Sequence, residues 1–115
     1  MDLDMLTSVV RDDGSSRTLF VTGELDVSTA PVFESAAGEA LDGQCDELCL
    51  NLTLVTFVDS TGARAIVHAY NTAELLGTRL VIHSPAPEVR RVLELMGLDR
   101  VTDIKDGRPA RKPSA

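Results

Sequence analysis

The sequence predicts an α/β fold, a mixed sheet of about four to five strands packed with three to four helices. Three observations carry that expectation. Strand-like alternation and helix-like spacing follow one another along the chain, the pattern of β-α-β crossovers and a mostly parallel sheet. The 115 residues are one domain's worth of chain, with no internal repeat. Leu, Ile, Val and Phe supply 33 of them, about 29%, which is above the range of intrinsically disordered chains.

Each element has its own signal. Residues 6–12 and 17–23 read as two strands, an antiparallel pair joined by the turn-rich residues 12–15. Ser28 or Thr29 then offers an N-cap, with Pro31 in the first turn. Phe33, Ala36, Ala37, Ala40 and Leu41 follow at helical spacing, and Gly43 closes that helix. Residues 46–52 place Leu48, Leu50 and Leu52 on one face of a strand. A second helix starts near Asp59 and Ser60, buries Ala63, Ile66, Val67 and Tyr70, and ends at Gly77. Leu80, Val81 and Ile82 form a short buried strand. The third helix begins at residues 85–87 and buries Val89, Val92, Leu93 and Met96, with Gly97 and Leu98 fitting a Schellman ending. Residues 101–104 add a last edge strand.

Composition excludes several classes of function. Eleven Lys and Arg against eighteen Asp and Glu leave a formal charge of −7. The aromatics are Tyr70, Phe20, Phe33 and Phe57, with no Trp. An acidic chain without stacking platforms is a poor partner for nucleic acid. No apolar run approaches the ~18 residues of a membrane helix, and a start with Asp2 and Asp4 is no signal peptide. A small acidic cytoplasmic domain is expected, with neither nucleic acid nor membrane among its partners. The charge is uneven: residues 1–104 carry a net of −10, and residues 105–115 a net of +3. The first segment is read as the domain, and the second, with Lys105, Arg108, Arg111 and Lys112 among Gly and Pro, as a disordered basic tail.

Enzymatic signatures are missing. Cys45 and Cys49 lack the C-x-x-C spacing of zinc or redox sites; on one strand their Cα atoms lie about 13 Å apart, too far for a disulfide. The glycines fall into neither a dinucleotide nor a phosphate-loop motif, and Val58 stands where a nucleophile elbow needs glycine. His68 lies about two helical turns from Ser60, out of reach of its hydroxyl, and His83 ends a strand. No metal or cofactor is expected, and no catalysis.

The junction at residues 56–66, TFVDSTGARAI, stands out. One reading is structural: Asp59 or Ser60 caps the helix, an interaction of about 1 kcal/mol. The other is functional. Gly62 in a first turn costs up to ~1 kcal/mol relative to Ala, and the space it leaves beside Ser60 suits close approach by another protein. A helix N-terminus also tolerates a phosphate, through its dipole and free N–H groups. Helical phase then places Ser60, Arg64, His68, Asn71 and Leu75 on one stripe, rotated away from the core. That stripe is either a partner surface or a solvated face with one stray leucine.

GELDVSTAP at 23–31, NLTLVTFVDSTG at 51–62 and SPAPEVRRVLELMGLDRV at 84–101 together resemble a STAS domain of the bacterial anti-sigma factor antagonist type, over residues 6–104. The resemblance implies a STAS-like fold and a partner switch. The unphosphorylated antagonist binds an anti-sigma factor that is also a serine kinase, and the sigma factor is freed. Phosphorylation of the motif serine, here Ser60, prevents the complex, and a metal-dependent serine phosphatase resets the protein. Asp59, Ser60, Thr61 and Gly62 match the D-S-[ST]-G motif. Asp26 resembles a family position on the loop facing the serine, where it assists contact with the kinase; the alternative is an ordinary Asx turn. Arg64 departs from the family, which usually has a small residue there. A long cation changes the partner's approach, and at i+4 from Ser60 it is spaced to pair with a phosphate. The alternative function is a non-phosphorylated STAS scaffold or accessory subunit of a transporter or signalling complex, with a hydrolase using Ser60 a distant third.

Overall fold

A β-hairpin opens the fold in the computed structural model, which describes residues 6–43 and 45–106. Strand β1 (Leu6–Asp13) runs antiparallel to β2 (Ser16–Leu25). Gly14 turns the hairpin at φ 83°, a left-handed conformation that favours glycine, and donates its N–H to the Asp12 carboxylate at 3.1 Å. The remaining elements alternate: α1 (Ala30–Leu41), β3 (Glu47–Val58), α2 (Ser60–Leu76), β4 (Arg79–His83), α3 (Pro87–Leu95), a 3-10 turn at Leu98–Arg100, and β5 (Asp103–Lys105).

The five strands lie in sequence order across one sheet, and β2 through β5 are parallel. Right-handed crossovers between successive neighbours put all three helices on the same face. One cluster gathers that face: Leu19, Val21 and Leu25 of β2 and Leu48, Leu50 and Leu52 of β3 meet Phe33, Ile66 and Leu93 of the helices. The opposite face carries Thr18, Phe20, Cys49, Asn51 and Val81, with the Arg11 guanidinium 5.7 Å from the Phe20 ring centre. Both cysteines are free and buried, and burial, with Glu47 nearby, pushes the Cys49 thiol up to about 11.

Several boundaries differ from the sequence expectation, each for a physical reason. β2 runs to Leu25 and β3 to Val58, six residues past the expected end. Register shifts between Phe20 and Thr22 and between Gly23 and Glu24 break the strict alternation that marks a strand. Thr53 and Leu54, then Thr56 and Phe57, are therefore exposed in pairs between buried Leu52, Val55 and Val58. In α2 the buried face is Ala63, Ala65, Ile66, Ala69 and Ala73, while Val67 and Tyr70 are only half-buried. Alanines let α1 and α2 pack closely, so the core stripe turns toward α1. In α3 Val89 and Leu93 are buried, but Val92 and Met96 are half-buried. Gly97 takes φ 81° and Leu98 is buried behind it, as a glycine helix ending requires.

The ordered chain also passes the expected boundary at 104. Lys105 belongs to β5, and Asp106 accepts a two-pronged bond from Arg90 at 2.6 and 2.7 Å. The rest of the expected basic tail, with Arg108, Arg111 and Lys112, lies outside the described residues.

Candidate functional site at the carboxyl ends of β2 and β3

Parallel strands collect their outgoing connections at one edge, the edge where open α/β sheets bind ligands. Here the β2–α1 loop and the β3–α2 junction meet. The loop is closed by its own polar groups. Asp26 Oδ1 accepts from the Ser28 N–H at 3.0 Å, the Ser28 hydroxyl at 2.8 Å and the Thr29 N–H at 3.2 Å. The Thr29 hydroxyl donates to the Glu24 carbonyl at 2.8 Å and accepts from the Asp26 N–H at 2.9 Å. The Ser28 hydroxyl, chief among these donors, holds the Asp26 carboxyl below its usual value. Asp26 thus forms the Asx turn weighed above. Thr29 occupies the N-cap position of α1 without a side-chain capping bond, because its hydroxyl is spent on the loop.

The junction is built just as tightly. Asp59 is the N-cap of α2, its Oδ1 accepting from the Gly62 N–H at 2.8 Å. Its own N–H donates to the Leu25 carbonyl at 3.2 Å, which ties the helix start to the residue before Asp26. Gly62 is buried against that same residue. A Cβ at position 62 would stand 2.1 Å from the Leu25 carbonyl oxygen and 2.7 Å from its carbon. The sequence expectation that Gly62 makes room for an outside protein is therefore corrected: the room is taken by this chain's own backbone.

Ser60 is the first residue of α2 and is exposed; Thr61 beside it is half-buried. Arg64, one turn on, is exposed and makes no hydrogen bond or ion pair among the described residues. A phosphate on Ser60 would lie within reach of this guanidinium. Phosphorylation is accordingly expected to raise the melting temperature by a few degrees, roughly what a surface charge pair supplies in a domain this size. Scanning calorimetry of the phosphorylated wild type and Arg64→Ala measures it; a melting temperature at or below that of the unmodified protein would count against the pair.

The stripe Ser60, Arg64, His68, Asn71 and Leu75 is exposed along its whole length. It is not one compact patch. Leu75, 88% exposed, lies about 22 Å along the helix from Ser60, and His68 about 12 Å. The fold brings together Asp26, Asp59, Ser60, Thr61, Gly62 and Arg64, leaves His68 and Asn71 midway, and sets Leu75 at the far end. His83 sits on β4, its pKa lowered by burial and then by Lys105. Neither histidine is placed to serve Ser60 as a base. Among the described residues no three His, Cys, Asp or Glu converge as a metal site, and no helix is long and apolar enough to cross a membrane.

Two apolar side chains at this edge escaped the sequence reading. Val27, 68% exposed, tops the β2–α1 loop, and Phe57, 49% exposed, pairs opposite Glu24 three residues before Ser60. The available signal was an aromatic, in a chain with only four, directly before a hydroxyl-rich helix start.

Residues 8–104 match the family model described as "Mlab, STAS domain". The anti-sigma-B factor antagonist of Listeria monocytogenes is 31% identical over 88 residues, covering 76% of this chain and 77% of that one. The anti-sigma-F factor antagonist RsfB of Mycobacterium tuberculosis is 30% identical over 99 residues, covering 84% and 79%. The crystal structure of an anti-sigma factor antagonist from Mycobacterium paratuberculosis superposes with a TM-score of 0.78 at 27% identity, covering 86% of this chain and 84% of that one. With its five-stranded mixed sheet, three helices on one face and a serine at the start of α2, the chain belongs to the STAS domain family, among the bacterial anti-sigma factor antagonists.

Proposed function

We propose that this protein is an anti-sigma factor antagonist that works by partner switching. Its unphosphorylated form binds an anti-sigma factor serine kinase, which frees the sigma factor for transcription. That kinase phosphorylates Ser60, the complex no longer forms, and a metal-dependent serine phosphatase restores the starting state. The protein contributes a surface and a phosphate acceptor rather than a catalytic step of its own, and it acts in the cytoplasm. Asp26, Asp59, Ser60, Thr61 and Arg64 make up the near part of that surface, with Gly62 buried beneath it, and His68, Asn71 and Leu75 form its extension along α2.

One observation carries the reading: an exposed serine opens α2 at the edge where Val27 and Phe57 are also exposed, and among the described residues it is hydrogen-bonded to no histidine or carboxylate. A hydroxyl without a base is a poor nucleophile, but it is a good acceptor for a kinase that brings its own. Asp26 and Gly62 support the surface from within, by shaping the loop and the helix start that carry it.

The test is phosphorylation in vitro. Incubation with ATP, Mg²⁺ and the anti-sigma factors of the same genome is expected to add about 80 Da, one phosphate. Ser60→Ala should abolish the gain. No gain with any of these kinases would favour the non-phosphorylated scaffold, and Ser60-dependent turnover of an activated ester would favour the hydrolase.

A further inference from the structure

A cleft runs along the outside of the α1–α2 pair, away from the sheet. Ala37, Gly38 and Leu41 of α1 and Ala65 and Ala69 of α2 line its upper part, about 210 Å³. It continues past Leu76 to the end of α1 as a wider hollow of about 540 Å³. Glu34, Glu39 and Asp42 stand along it, and no Lys or Arg lines either part. Leu76, 47% exposed, lines its lower part.

Gly38 gives the cleft a meaning beyond shape. It sits inside α1, is absent from the residues of positive φ, and is exposed. A Cβ added there would meet nothing within 4 Å. The fold thus has no need of glycine at 38, and alanine would stabilise the helix by up to ~1 kcal/mol. Gly62 is the opposite case, since its missing side chain is demanded from inside. A bare backbone at 38 serves close approach from outside.

We infer that this cleft is a second docking surface, which receives an amphipathic, basic helix of the protein partner. The helix lays its apolar face on Ala37, Gly38, Ala65 and Ala69, and its Lys or Arg flanks meet Glu34, Glu39 and Asp42. Small floor residues let a helix backbone come close, and the carboxylate edge selects a cation-flanked one. The choice of partner rests on the proposed function through His68, which belongs both to the Ser60 stripe and to the cleft. His68, about 12 Å along α2 from Ser60, is where the two surfaces meet. A second copy of this chain is the wrong occupant, because its residues 1–104 carry a net of −10.

The test needs no anti-sigma factor. The isotope-labelled full chain is titrated with a synthetic helix of about 18 residues, five turns, leucine on one face and lysine on the other. Amide shifts are expected to concentrate at Glu34, Gly38, Leu41, Ala65 and Ala69. Gly38→Trp, whose side chain starts in open space, is expected to weaken binding at least about tenfold, and Glu34→Lys severalfold. The titration uses neither kinase nor phosphate, so its outcome is independent of the phosphorylation experiment. The inference is overturned if a scrambled peptide without an apolar face gives the same shifts, or if Gly38→Trp binds equally well. It is also overturned if removing residues 107–115 shifts the same amides without any peptide, since the chain's own basic end would then be the occupant.

Discussion

Gly62→Ala is expected to lower the melting temperature by on the order of 10 °C, although alanine is the better helix former. Propensity alone predicts the reverse sign, a gain of up to ~1 kcal/mol. The contact decides. A Cβ at 62 falls 2.1 Å from the Leu25 carbonyl oxygen, and the obstacle is backbone, so no side-chain rotation relieves it. Either α2 moves away from β2 or the Leu25 peptide turns, and both break the bond from the Asp59 N–H to that carbonyl. Overpacking of this kind costs about 1–3 kcal/mol, which outweighs the propensity gain. Gly38→Ala is the matched control and is expected to raise the melting temperature by a few degrees, because its Cβ points into open space. Thermal melts by circular dichroism measure both. A Gly62→Ala protein as stable as wild type would mean that the helix start and the Asp26 loop are not locked together as described.

Phosphorylation of Ser60 is expected to weaken anti-sigma factor binding by at least about a hundredfold, and Ser60→Asp by about tenfold or more. Ser60→Ala should stay within about threefold of wild type. Phosphate adds about −1.5 to −2 charge directly beside the Asp59 carboxylate. The free domain tolerates this, because Ser60 is exposed, the helix dipole is favourable and Arg64 makes no ion pair among the described residues. In a dry interface beside Val27 and Phe57, desolvating the dianion would cost several kcal/mol even with Arg64 alongside it. The switch thus requires no large conformational change. Isothermal titration against the cognate anti-sigma factor gives the three affinities, and equal binding by Ser60→Asp and Ser60→Ala would rule out an electrostatic switch.

The sequence made the alternating architecture legible, because each helix has its own signal. Thr29 and Pro31 open α1, Asp59 caps α2, and Gly77 ends α2 at φ 74°. The N-terminal antiparallel pair and the mostly parallel remainder of the sheet were readable for the same reason, whereas the order of the strands across it was not. The upper half of β3 was not. Register shifts expose Leu54 and Phe57 out of phase, and a bulge between two strands leaves no mark on the sequence of one of them. Serine at the start of α2 was readable from a local motif, whereas Val27 joins it only because the β2–α1 loop folds over the same edge.

Acidity, paucity of aromatics, the strand–helix alternation and a capped serine at a helix start were all determined by sequence. Each depends on residues within a turn or two of one another, and such short-range interactions are written in the local order of side chains. The meaning of the small residues was decided only by tertiary structure. Gly62 and Gly38 look alike in a helical pattern, yet one is pressed against Leu25 and the other faces empty space. That difference arises from long-range packing, which sets what lies 3 Å beyond a missing Cβ.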